Sequence, residues 1–318
     1  MARRFASVSI DLDSLWCYHE IHGLEPCESE KEDIIHQFAM PRIFDFFSSL
    51  DIPLTLFVIG KDVRRHRRFL LEASRLGYEL ANHTFSHTYG LRDLSKQDIR
   101  EDIKRGHEAI GELSSTAPVG FRTPGYNIST TIMSILAELG YAYDSSVFPC
   151  PPYYMAKGAV MGWRKLSGGK SRSSMALPQT LIAPTAPYVA SPRAFWKRSA
   201  EATKTPVEIP ICTLPGLRFP IIGTSLHLLN APTFKVLYPT LKLAHPDLIN
   251  LEFHAIDFVD AQDLDHPRLV EHQPDLAISW EKKKERYSEI LRVIGKDYNY
   301  LTLKDANLAL DLRHDFLQ

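Results

Sequence analysis

Across the first 145 residues, short apolar strand patterns alternate with helical ones, and no other feature limits the fold as much. Strand patterns cover Phe5–Asp13, Pro53–Gly60, Tyr78–Asn82, Pro118–Arg122 and Tyr141–Asp144. Between them, residues 31–49 carry Ile34, Ile35, Phe38, Ile43, Phe46 and Phe47 at roughly helical spacing. Residues 62–76 read as a basic amphipathic helix closed by Gly77. Residues 95–114 begin with Ser95 three positions before Asp98, a capping signal, and residues 129–139 run helical up to Gly140. Strands that alternate with helices predict βαβ units around a parallel sheet.

The stretch 149–232 breaks this rhythm. It is rich in proline and holds a polar basic run, Ser167–Ser174, so it reads as an excursion from the barrel, with Lys170 and Arg172 free to attract an anionic group. Regular patterning resumes at Leu248–His254, followed by a charged helix from about Trp280 to Ile294 and a final strand, Tyr300–Leu303. With neither repeat nor linker, the expectation is a single domain, 1–318, with an insertion at about 149–232. The 318 residues, 44% of them hydrophobic, suffice for a sizeable core. Lys and Arg number 37 against 38 Asp and Glu, which leaves no electrostatic footprint for nucleic acid. Cys17, Cys27, Cys150 and Cys212 lack CxxC spacing, and the N-terminal residues run straight into a strand pattern without a signal-peptide core. No stretch approaches the ~20 apolar residues of a membrane span. A reduced, cytoplasmic protein is expected.

Chemistry clusters at the ends of the strand patterns. Asp11 and Asp13 end the first, and side chains at i and i+2 share a face. Two carboxylates held together repel unless a cation lies between them; solvated loop acids are the alternative. His83 and His87 follow the third strand, and i, i+4 spacing can put two imidazoles on one ion. One carboxylate and two imidazoles leave a position open for water. Gly120–Tyr126 follows the fourth strand: Arg122 could partner a carboxylate, and the Pro124-Gly125 turn could present backbone N–H groups to an oxyanion, or the motif could be an ordinary turn. His254 ends an apolar strand, as either an acid or a satisfied core histidine. Trp16 and Tyr18, in the loop Ser14–His22 that should overhang the site, could stack on a bound ligand or pack the loop down.

Taken in order, these motifs resemble the polysaccharide deacetylase (NodB-homology, carbohydrate esterase family 4) superfamily, over residues 5–148 and 206–304. The resemblance implies a distorted (β/α) barrel of about seven strands. It makes Asp11 the base, Asp13, His83 and His87 the metal ligands, and Arg122 with Pro124 the Arg-x-Pro motif. It also makes the Tyr126 amide the oxyanion donor, Asp144 the aspartate that orients the arginine, and His254 the acid. Leu12 between the aspartates is like the branch of intracellular peptidoglycan deacetylase-like proteins, allantoinase-like hydrolases and the lipid-linked aminoarabinose deformylase. The tryptophan that often follows the fourth motif is absent, with Phe148 as a substitute wall, and Glu252 stands where leucine is usual.

The implied reaction is hydrolysis of an N-acyl (acetyl or formyl) group on an amino sugar, glycan or lipid-linked sugar. Zn²⁺ is the expected metal, with Co²⁺, Mn²⁺ or Ni²⁺ also compatible, and a homo-oligomer is compatible with such a chain. The alternatives are an allantoinase-like cyclic amide hydrolase, a haloacid-dehalogenase-like phosphatase, which would leave His83, His87 and His254 unexplained, and an inert carbohydrate-binding relative, which would need neither base nor acid.

Overall fold

The computed structural model describes residues 4–25, 33–166, 174–199, 204–227, 229–264 and 266–312. Their strands are β1 (Phe5–Asp11), β2 (Leu54–Val58), β3 (Glu79–Asn82), β4 (Gly120–Phe121), β5 (Tyr143–Asp144), β6 (Tyr188–Ser191), β7 (Ala194–Arg198), β8 (Val207–Glu208), β9 (Leu248–His254) and β10 (Asn299–Tyr300). The first six α-helices are α1 (Leu15–His22), α2 (Ile34–Ser48), α3 (Arg67–Arg75), α4 (Lys96–Ser114), α5 (Thr130–Glu138) and α6 (Pro151–Leu166).

Seven parallel strands curl in the order β9-β1-β2-β3-β4-β5-β8, with β10 paired to the start of β1. The curl is drawn together beyond β8, where Cys212 N–H donates to Asn250 O at 3.0 Å and Ile222 bridges to Glu252. The fold is therefore the distorted barrel that the resemblance implies, built on the parallel sheet that the alternating patterns predict. Alternation along each strand sorts the side chains. Phe5, Phe57, Ala81, Tyr143, Val207 and Leu248 form one apolar cluster, capped by Leu303 and Ala306. On the opposite faces, Val8, Ile10, Leu251 and Phe253 pack against Ile43 and Phe47 of α2 and Tyr287 of the helix Trp280–Ile294. Burying each such large side chain is worth about 1.5–3 kcal/mol, which holds the strands between these two layers. Gly120 is needed inside the barrel, since a Cβ there would lie 2.0 Å from Tyr143 Cζ.

Three stretches differ from the sequence expectation. The helix expected over 62–76 begins only at Arg67, because Asp62 in the preceding turn accepts hydrogen bonds from Ser14 Oγ (2.6 Å) and Trp16 Nε1 (3.0 Å). The expected final strand ends at Tyr300: Thr302 caps a new helix, Leu303–Leu310, by accepting from Asp305 N–H. Barrel pairing resumes inside 149–232, where β8 lies parallel to β5, and β6 and β7 add an antiparallel flap to it. A two-residue strand among prolines shows no periodicity to read. Lys170 and Arg172 lie outside the described residues. Among the described residues, no helix is long and apolar enough to cross a membrane.

Candidate active site

The parallel strands bring Asp11, Asp13, His83, Arg122 and His254 to one end of the barrel. Arg122, fully buried, organises it. Its Nη1 donates to Asp11 Oδ1 at 2.6 Å, Nη2 to Ser9 Oγ and Ser145 Oγ at 2.9 Å each, and Nε to Ser145 O at 2.8 Å. The guanidinium also lies over the Phe57 ring, 4.0 Å from its centre. One oxygen of Asp11 is thereby committed, and the other lies 3.7 Å from His83 Nε2.

Beside this pair, Asp13 Oδ1 lies 3.1 Å from His87 Nε2 and 3.6 Å from His83 Nε2. Asp13 Oδ1 and both His87 nitrogens are buried without a hydrogen-bond partner among the described residues. His83 is oriented through its other nitrogen, Nδ1, which contacts Arg122 O at 2.8 Å. The two rings are tilted by 56°, with centres 4.9 Å apart. Burial works against charge on Asp13, but the imidazoles of His87 and His83 hold its carboxyl well below the usual range. Burial pushes His83 down to about 4, so it is a neutral donor at neutral pH. A carboxylate, two imidazoles and unpartnered buried atoms suit a divalent ion, and these residues could hold one.

His254 extends from β9, and its Nε2 lies 3.5 Å from Glu252 Oε1. Burial alone would lower its pKa, but the carboxylates of Glu252, Asp11, Asp13 and Asp257 hold it at about 9. The Tyr126 N–H donates to Thr123 O at 3.3 Å, within the turn Pro124–Tyr126. Asp11, Asp13, His83 and His254 line a cavity of about 460 Å³ with aromatic walls, Tyr18, Tyr89, Tyr126 and Tyr153 among them.

Three expectations need correcting. Asp144 does not orient Arg122: it pairs with Ser146 Oγ (2.7 Å) and lies opposite Glu208, on the other face of β5 from Tyr143 and Ser145. Alternation sends Ser145, one residue on, to the arginine instead. Trp16 does not line the cavity, because Ser14–His22 is largely the helix α1 and not a loop; the indole donates to Asp62 and lies under Lys61 Nζ, 3.1 Å from its ring centre. Phe148 is buried behind the wall, its ring centre 5.1 Å from that of Tyr153, which takes the exposed place. Pro124 sits buried in the turn that presents Gly125 and Tyr126 to the cavity. The sequence reading missed Ser9 and Ser145 as partners of Arg122. Ser9 could have been found as the residue two before Asp11, on the same face.

Residues 32–143 match the polysaccharide deacetylase family model. Over that stretch the chain is similar to the polysaccharide deacetylases. The match holds His83, His87 and Arg122, while Asp11, Asp13 and His254 flank it. Among curated proteins, the chain is 25% identical over 162 residues to the peptidoglycan deacetylase of Helicobacter pylori, covering 49% of this chain and 54% of that one. It is 29% identical over 101 residues to the peptidoglycan-N-acetylglucosamine deacetylase of Bacillus cereus, covering 32% and 46%. The chain thus spans about half the length of the curated relatives it matches. In fold it is similar to the Puue allantoinase, with a TM-score of 0.60 at 14% identity over 98% of this chain and 92% of that one. A probable polysaccharide deacetylase from Pseudomonas aeruginosa PAO1 gives a TM-score of 0.59 at 14% identity, with coverage of 98% and 92%.

Proposed function

We propose that this chain is a polysaccharide deacetylase-like hydrolase that cleaves an N-acyl bond, acetyl or formyl, on an amino sugar or glycan. The observation that carries the reading is the set of buried, unpartnered donor atoms on Asp13 and His87 beside the Asp11–Arg122 ion pair, with Asp11 and Asp13 lining one cavity. Asp13, His83 and His87 would hold a divalent metal, Zn²⁺ being the expected ion. When bound, such an ion supplies Lewis-acid polarisation of a carbonyl and a lowered pKa for water.

The chain's own groups do the rest. Arg122 holds Asp11 by one oxygen, and the remaining one is placed to take a proton from water attacking the acyl carbon. The Tyr126 N–H, whose turn bond to Thr123 is long at 3.3 Å, is placed to turn to the developing oxyanion. His254, charged at neutral pH, gives its proton to the leaving nitrogen.

A cavity of this volume is the size of a small-ligand site, which favours one or two sugar units over a long internal glycan. The same bounded aromatic wall supports, as second reading, a cyclic amide opened by the same groups. In a single domain, residues 149–232 would select the substrate, since Pro152, Tyr153 and Lys157 of α6 and Phe219 and Thr224 beyond it face the cavity. The test is metal analysis of the purified chain together with acetate and formate release from N-acyl amino sugars. One ion per chain and acyl release from at least one sugar are expected. A metal-loaded chain that opens cyclic amides and releases neither acid would transfer support to the second reading.

A further inference from the structure

Glu252 occupies a strand position where an apolar side chain would avoid the cost of burying a carboxylate. It is fully buried, and its Oε2 has no hydrogen-bond partner among the described residues. Its other oxygen receives two groups from different parts of the chain. Tyr126 Oη donates to Oε1 at 2.6 Å, and His254 Nε2 lies 3.5 Å from the same atom. Glu252 and His254 share a face of β9 because they are two residues apart.

Tyr126 is conformationally unusual. Its φ of +64° lies in the left-handed region, uncommon for a bulky residue. Its ring is seated against Phe148 and Tyr153, with centres 5.0 and 5.7 Å away, and its hydroxyl is tied to β9 through Glu252. His254 has its backbone N–H held by Asp257 Oδ2 at 2.8 Å, which fixes the strand end.

We propose that Glu252 is a positioning residue: one carboxylate oxygen holds the His254 ring and the Tyr126 turn in a fixed relation, tying the acid to the oxyanion donor. The assignment of those two roles rests on the proposed function; the pairing itself is a property of this chain. Charge agrees with the geometry. Burial raises Glu252 to about 7, against the opposing charge of His254. The groups facing His254 are Glu252 on its own strand, Asp11 and Asp13 from the end of β1, and Asp257 from the following turn. Glu252 also faces Arg122 and Tyr126. Removing its charge leaves His254 with three carboxylates instead of four.

The test is a histidine NMR titration of the full chain, with the His254 signal assigned by its loss in H254Q. The midpoint is expected well above the ordinary value of 6.5 and lower in E252Q by about one pH unit, the size of one lost charge partner. E252D, too short to keep both contacts, should fall between the two and carries the test if E252Q does not fold. Acetate release from N,N′,N″-triacetylchitotriose is followed in parallel. The alkaline limb of its kcat should move with the NMR midpoint in E252Q, with KM little changed, and E252D should restore part of the shift. A His254 midpoint unmoved in folded E252Q and E252D would overturn the proposal. A shifted midpoint without acetate release by the wild-type chain would overturn the functional reading and leave the pairing standing.

Discussion

Among the described residues stand two buried groups of one aspartate and two histidines, and the geometry of one of them suits chelation better than that of the other. In the candidate active site the rings of His83 and His87 are tilted by 56°, and Asp13 and His83 line a cavity. In the other, Asp33 Oδ2 lies 3.0 Å from His36 Nδ1 and 2.9 Å from His66 Nε2. There the two rings are stacked, with centres 3.8 Å apart and planes within 6°. An imidazole lone pair lies in the plane of its ring, so two parallel stacked rings cannot aim at one ion. Asp33 instead works as a clamp. Its Oδ1 accepts from Leu15 N–H at 3.4 Å and His36 N–H at 3.5 Å, joining the starts of α1 and α2. Burial works against charge on both Asp33 and His36, but each holds the other ionised, which sends the aspartate down and the histidine up. His66 is driven down by burial and by the charge of His36. Donor types alone therefore do not define a metal site; lone-pair direction and access to a cavity do.

The sharpest way to break this contrast is a pair of double variants. H83A/H87A should lower turnover by more than about 10⁴-fold, beyond the range of one lost acid or base, while H36A/H66A should keep turnover per folded chain. Loss of turnover in both would place the second cluster in the chemistry. Asp11→Asn should lower kcat by about 10²–10⁴-fold with metal content unchanged, because the base is lost and the ligands are not. Metal loss in that variant would make Asp11 a ligand and blur the division between the two aspartates.

Stability separates the clusters in the opposite sense. Asp33→Asn should cost about 1–3 kcal/mol in urea unfolding, as a buried charge partner is removed and two helix starts lose their acceptor. A smaller effect is in the pH dependence. His36 is raised in the fold, so its contribution is present below about 6.5 and fades as pH rises through its folded midpoint. His66 is lowered, so its contribution is present above about 6.5 and fades as pH falls. The stability difference between wild type and H66N should therefore shrink below neutrality, and that between wild type and H36N above it. A difference flat from pH 5 to 9, by urea titration, would mean that the clamp carries no charge.

The barrel was largely legible because strands buried on both faces write their own apolar runs, as in Leu248–Phe253, and because each chemical motif followed such a run. Asp13, His83, His87, Arg122 and His254 could be read by that rule. What could not be read depended on which face a side chain takes within a strand of two residues. Asp144 and Ser145 are adjacent, and only the register of β5 against β8 decides which one meets Arg122. Trp16 failed for a related reason: the segment after Asp13 forms a helix whose turns send the indole to Asp62 and Tyr18 to the cavity. The clamp around Asp33 joins residues on α2 and just before α3, a contact that only the tertiary fold creates.

The most direct measurement is anomalous scattering from crystals of the full chain grown with Zn²⁺. The expected map holds one peak per chain, between Asp13, His83 and His87, and none between Asp33, His36 and His66. A peak at the stacked histidines, or none at the tilted ones, would contradict the account.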